Sequence, residues 1–192
     1  MELTTLNDLG LTEDEVQYAV IDAQPDFIDG SLGNANFKAK LGYIAEKIRN
    51  AVRAVAFTQD THDENYANTL EGKKLPVPHC FKGTPGHKVA AELLSVLTKT
   101  PILIEKYTFG FTGWKEIFGD AEDIKAFYIM GTVNPICPTA NAVILRALYP
   151  NKRIIVDYAG CGFMADENGD ETFCREATKY VLTMQQIEVI NG

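Results

Sequence analysis

The stretch IKAFYIMGTVNPICPTANAVILRAL, residues 124–148, sets the architecture. Its first part, 124–130, is a short apolar run that suits a strand buried on both faces. A glycine- and proline-containing turn, GTVNPIC, follows. The alanine-rich segment from Pro138 to 148 then reads as a helix opened by proline, whose missing N–H costs nothing in the first turn. Strand, turn and helix in that order form the repeating unit of a parallel α/β sheet. Working outward, similar apolar runs stand at 18–21 (YAVI), 51–58 (AVRAVAFT), 101–104 (PILI), 153–156 (RIIV) and 187–190 (IEVI). Helical windows at 37–52, 88–97 and 172–184 separate them. The pattern predicts an α/β fold with a parallel sheet. One long irregular segment, 59–87, carries Pro76, Pro78, Pro85 and three glycines. A loop of that length inside a compact domain is usually functional.

The chain has 192 residues, a length that suits one domain or two very small ones. Hydrophobic residues make up 46% and charged residues 23%, ordinary for a globular protein. The net charge of −8 argues against nucleic acid or an anionic membrane surface as partner. No apolar run reaches the ~18 residues that a transmembrane helix needs. The opening MELTTLNDLGLTEDEVQ lacks the basic and apolar regions of a signal peptide. Cys80, Cys137, Cys161 and Cys174 show no C-x-x-C spacing, which excludes a zinc ribbon or thioredoxin motif. The expectation is a cytoplasmic protein with reduced thiols.

In open parallel sheets, ligands bind outside the carboxyl ends of the strands. Asp22, Asp60, Lys106 and the 131–137 turn all fall at such ends. Cys137 opens a helix, where the dipole favours a thiolate and backbone N–H groups can hold an oxyanion. The other reading is a buried cysteine acting as a small hydrophobe. A thiol nucleophile needs a base. Asp22 is a carboxylate candidate, or a turn aspartate. Lys106 is a candidate for orienting the pair, or a solvated lysine. Asp60 and His62, with His79 in the same loop, form a set for a divalent transition metal, or two surface histidines beside a carboxylate. His87 has no such company and reads as exposed. Cys80 reads as a packed thiol, and Cys161 and Cys174 carry no assigned chemistry.

IDAQPDF around Asp22, TQDTH around Asp60 and His62, PHCFKGTPG around His79, EKYTFG around Lys106 and GTVNPICPTANA around Cys137 together resemble the isochorismatase-like cysteine hydrolases. Within them the chain is most similar to nicotinamidases and related amidases, over about 17–190. The resemblance implies a three-layer αβα fold with a six-stranded parallel sheet in a single domain over 1–192, with 1–16 as an N-terminal extension. It implies an Asp22–Lys106–Cys137 triad that cleaves a small amide through a thioester and releases ammonia, with nicotinamide as the leading substrate. Backbone amides of Val133 and Cys137 would form the oxyanion hole, beside a cis peptide at Thr132–Val133. Asp60, His62 and His79 match the metal positions, for zinc, iron or manganese. Self-association into a homo-oligomer is implied as well.

The chain also departs from that pattern. Asn134-Pro135 stands where many relatives have Thr-Asp. Pro76 stands where many nicotinamidases carry a tryptophan, so the aromatic wall falls to Phe27, Phe111 or Trp114. Asn68 stands where some relatives place a fourth metal ligand. Ureido or carbamoyl amide hydrolysis would use the same triad. Isochorismate-type vinyl-ether hydrolysis needs no thiol, so Cys137 argues against it. A non-catalytic binding protein on the same fold is a third reading.

Overall fold

The computed structural model describes residues 3–192. Its centre is a six-stranded, wholly parallel sheet in the order β3-β2-β1-β4-β5-β6. The strands are β1 (Val16–Ile21), β2 (Ala56–Asp60), β3 (Ile102–Lys106), β4 (Ala126–Asn134), β5 (Arg153–Phe163) and β6 (Glu188–Ile190). The helices are α1 (Pro25–Ile28), α2 (Ala35–Lys38), α3 (Leu41–Ile48), α4 (Leu70–Lys74), α5 (Ala91–Leu94), α6 (Trp114–Phe118), α7 (Cys137–Leu148) and α8 (Thr172–Met184). The expected six parallel strands are all present.

Side chains alternate across the pleat, and both faces of the sheet are covered. Val16, Tyr18 and Val20 of β1 join Tyr128 and Met130 of β4 against Ile44 and Ile48 of α3 and Leu93 of α5. Ala19, Ile21, Phe127 and Ile129 face the other way, against Trp114 of α6, Leu145 of α7 and Leu182 of α8. Burial on both faces explains why the strands read as continuous apolar runs rather than alternating ones.

Several boundaries differ from the sequence reading. The window at 37–52 divides into α2 and α3, and that at 88–97 shrinks to the single turn of α5. The strand expected at 51–58 begins only at Ala56, while β5 runs on to Phe163. The irregular segment 59–87 contains α4 and two short 3-10 turns. The extension expected over 1–16 packs on the body: Leu11 is in the core, and the Leu9 carbonyl accepts from Arg153 at 2.7 Å. Its residues 1 and 2 lie outside the described part. Among the described residues, no helix is long and apolar enough to cross a membrane.

The strand order turns back on itself between β1 and β4, which opens a crevice at their carboxyl ends. Gly131 sits there with φ 128°, in register with Ile21. A Cβ at that position would run into the Ile21 carbonyl oxygen. The two strands approach closely at the crevice only because this residue is glycine.

Candidate active site

Four strand ends deliver four side chains to the crevice. Asp22 follows β1, Asp60 closes β2, Lys106 closes β3 and Cys137 opens α7 after β4. All four are buried. Lys106 Nζ lies 2.8 Å from Asp22 Oδ2, 3.1 Å from Asp60 Oδ1 and 3.6 Å from Cys137 Sγ. The lysine reading as a solvated side chain is therefore excluded: this ammonium is held between two carboxylates and a thiol. Asp22 takes a left-handed backbone, φ 51°, which aspartate tolerates better than most residues. Its Oδ1 accepts from the Thr58 hydroxyl at 2.7 Å. Its Oδ2 accepts no well-aligned hydrogen bond, although the Lys106 ammonium stands beside it.

Burial raises the Asp22 carboxyl above the usual aspartate range, with Lys106 opposing the rise. The Cys137 thiol is pushed up by burial and then by Asp22, while Lys106 pulls it down. The helix N-terminus alone suggests a lowered thiol; desolvation and the neighbouring carboxylate outweigh it. For Lys106, burial disfavours the charge, but Asp22, Cys137 and Asp60 more than compensate, so the ammonium stays charged. The cluster therefore places a raised thiol and a raised carboxyl on either side of a buried ammonium.

Asp60 joins this cluster to a second one. Its Oδ1 faces Lys106, and its Oδ2 lies 3.1 Å from His62 Nε2 and 3.3 Å from His79 Nε2. Glu71 of α4 completes the group, with Oε1 3.7 Å from His62 and 3.8 Å from His79. One ligand atom from each of Asp60, His62, Glu71 and His79 falls within 4.8 Å of the others. His79 Nδ1 donates to the Val77 carbonyl at 2.8 Å, which leaves Nε2 free for a metal. Two imidazoles and two carboxylates suit zinc, iron or manganese, so the residues fit a divalent ion. The two histidines are buried rather than on the surface. Sequence reading missed Glu71. Asn68, which stands where some relatives place a fourth ligand, instead donates its amide to Asn65 Oδ1 at 2.9 Å.

The segment 22–27 supports both clusters. Gln24 Nε2 donates to the Asp60 carbonyl at 2.9 Å and its Oε1 accepts from Asp60 N at 2.8 Å. Asp26 accepts from Cys80 N at 2.7 Å, just after the His79 position. Phe27 meets the His79 ring edge-on, with centroids 5.5 Å apart. His87 is buried, contrary to expectation: its Nε2 pairs with Thr61 Oγ1 at 2.9 Å, and its carbonyl accepts from Gln24 and Gln59. Cys161 in β5 and Cys80 after His79 are buried, Cys174 in α8 is partly exposed, and all three are free thiols.

A cavity of about 640 Å³ opens beside Cys137. Phe27, Thr132, Val133, His79 and Glu71 reach its wall. Phe111 and Trp114 do not. Trp114 is wholly buried, with its indole N–H donating to Asn141 Oδ1 at 3.2 Å and its ring stacked on Phe118. Phe111 packs edge-on against Trp114. A tryptophan with its N–H satisfied in the core is unavailable to a ligand. Phe109 supplies the second aromatic wall instead. Asn141, an amide inside an apolar helix, ties this loop to the turn at Cys137 by donating to the Phe109 and Cys137 carbonyls. The Thr132–Val133 peptide is cis, and so is Asn134–Pro135.

The isochorismatase domain family matches residues 19–188 of the chain. No curated protein sequence matches it. Among solved structures, pyrazinamidase/nicotinamidase from Streptococcus mutans UA159 is 23% identical with a TM-score of 0.74, over 91% of this chain and 99% of that one. Pyrazinamidase of Pyrococcus horikoshii in complex with zinc is 19% identical with a TM-score of 0.71, over 93% and 99%. N-carbamoylsarcosine amidase from Thermoplasma acidophilum is 20% identical with a TM-score of 0.70, over 91% and 95%. At these identities the likeness establishes a shared fold.

Proposed function

The chain belongs to the isochorismatase domain family, and from that premise we propose that it is a cysteine-dependent amidohydrolase, with nicotinamide as the leading substrate. The observation that carries this reading is the buried Asp22–Lys106–Cys137 cluster, with Lys106 Nζ 2.8 Å from the carboxylate and 3.6 Å from the thiol. A buried ammonium holding a carboxylate beside a thiol is the arrangement that a base-assisted nucleophile needs.

In the proposed reaction, Cys137 gives its proton to Asp22 as Sγ attacks the amide carbon. Lys106 holds Asp22 in place and balances the charge that gathers on sulfur. Backbone N–H groups of Val133 and Cys137 receive the carbonyl oxygen as it becomes an oxyanion. The C–N bond breaks, the nitrogen takes the proton from Asp22, and ammonia leaves a thioester on Cys137. Water then adds to the thioester carbon and yields a proton to Asp22. The C–S bond breaks, that proton returns to sulfur, and the carboxylic acid departs. The raised Asp22 carboxyl suits a group that must take and return a proton. A divalent ion on Asp60, His62, Glu71 and His79 supplies, when bound, a Lewis-acid point for a basic ring atom of the substrate. Asp60 links that point to Lys106.

The test is ammonia release from nicotinamide by the purified chain and by Cys137→Ala. The expected result is turnover by the native protein and a loss of roughly 10³-fold or more in the variant. Full activity in Cys137→Ala would overturn the mechanism.

A further inference from the structure

Asn141 follows Cys137 by four residues, on the same face of α7 and one turn along. It is wholly buried. A buried amide is tolerated where its hydrogen bonds are made, and Asn141 makes all four that its side chain can form. Its Oδ1 accepts from Phe111 N at 3.0 Å and from the Trp114 indole at 3.2 Å. Its Nδ2 donates to the Phe109 carbonyl at 3.1 Å and to the Cys137 carbonyl at 2.9 Å. Three of these four partners lie between 109 and 114, just after Lys106. Among the described residues, the main chain over 108–112 makes no other hydrogen bond to the protein. The same segment lies close on α7, since a Cβ at Gly110 would meet the Ile144 side chain. Phe109 walls the cavity beside Cys137 and is 43% exposed, so burial in the core does not fix its ring. A second cavity, of about 510 Å³, also borders Phe109 and gives the ring room to turn away once the segment is released.

We propose that Asn141 is a positioning residue: it pins 108–112 to the helix that carries Cys137, and so holds the Phe109 ring against the body of a ring-bearing substrate. This deepens the amidohydrolase reading and rests on it. One side-chain nitrogen serves both the Phe109 and the Cys137 carbonyl, so a single amide sets the distance from the thiol to the aromatic wall. That distance matters, because a misplacement of about 1 Å can cost on the order of 100-fold in rate. Removing the amide leaves the Phe109 carbonyl, the Phe111 N–H and the Trp114 indole without their partner. Trp114 stays packed in the core, stacked on Phe118. Phe109 has no such second hold, so it is the ring that moves.

The experiment uses the full chain supplemented with zinc, together with Asn141→Ala, Phe109→Ala and the double variant. Nicotinamide hydrolysis is resolved into kcat and KM. A second readout needs no turnover: the rate at which N-phenyl iodoacetamide alkylates Cys137, relative to iodoacetamide, located by peptide mapping. Asn141→Ala is expected to raise KM about tenfold, more than it lowers kcat, and to cut the preference for the phenyl reagent by a similar factor. Phe109→Ala is expected to do the same. The double variant is expected to do no more than Phe109→Ala alone, because residues that act through one group are not additive. Where Asn141→Ala does not fold, Asn141→Asp takes its place, keeping both acceptor contacts and losing both donors. An Asn141 effect of equal size with and without Phe109 would overturn this proposal while leaving the amidohydrolase reading standing. So would no effect, or a loss confined to kcat. If the native chain hydrolyses no amide, that reading falls and the alkylation ratio decides alone. A preference lost on Asn141→Ala only when Phe109 is present upholds Asn141 as its anchor, and any other result overturns it.

Discussion

Lys106 carries more of the electrostatics than any other residue, because two buried carboxylates and a buried thiol share its charge. Removing one member of a buried ion network leaves the others unpaired, which costs about 3–5 kcal/mol. Lys106→Met is therefore expected to destabilise the protein by that order in urea denaturation, as well as to abolish amide hydrolysis. Adding Asp22→Asn to it is expected to restore part of the stability and none of the activity, since the unpaired carboxylate is then gone but so is the base. In the proposed mechanism Asp22 also sets a pH dependence. It must be ionised to accept the thiol proton, and burial raises its carboxyl above the ordinary value of 3.8. The ionised form is lost on acidification at a higher pH than for a free aspartate, so the acid limb of kcat/KM is expected to lie above that value. A limb at or below it would remove Asp22 as the base.

At the scale of elements, the loop from β1 into α1 couples the two clusters. Asp22 stands at its start, Gln24 clamps the Asp60 backbone from both sides, and Asp26 holds the amide after His79. Groups that orient metal ligands typically contribute 10–100-fold in affinity. Gln24→Ala is expected to weaken zinc binding, followed by competition with a chromophoric chelator, by about that factor. Rescue by no other change than restoring glutamine, with labelling of Cys137 unaltered, would separate positioning from general loss of structure. The sequence motif IDAQPDF signals that Asp22 ends a strand; it does not signal that Gln24 reaches across to β2. That contact depends on the Cα register of two parallel strands, Ile21 beside Thr58. Glu71 was hidden for a related reason: α4 is a five-residue helix in an irregular segment, too short to show a periodic pattern. His87 and Trp114 were misjudged because burial is a property of what packs on a residue, not of its neighbours in the chain.

For the whole molecule, the core on the α7 side rests on residues such as Leu145, wholly buried against the sheet. Leu145→Ala is expected to cost roughly 2–5 kcal/mol by cavity formation, read by urea denaturation with an unchanged m-value. A divalent ion at the proposed Asp60–His62–Glu71–His79 site would act on the same balance. An ion bound only by the folded state adds about 2.7 kcal/mol at a hundredfold excess over its Kd, so a chelator is expected to lower the Tm. The chain order of apolar runs and helical windows by itself determined the α/β class and the six parallel strands. Each run is a local consequence of burial on both faces, and the strands' polar ends are legible wherever a run stops. Tertiary structure alone decided which ends meet. The order β3-β2-β1-β4-β5-β6 brings Asp22, Asp60, Lys106 and Cys137 together across separations of up to 115 residues. It also decided that Glu71 and Phe109 face the cavity while Trp114 does not. Such convergence arises from strand order and packing, which no local window of sequence contains.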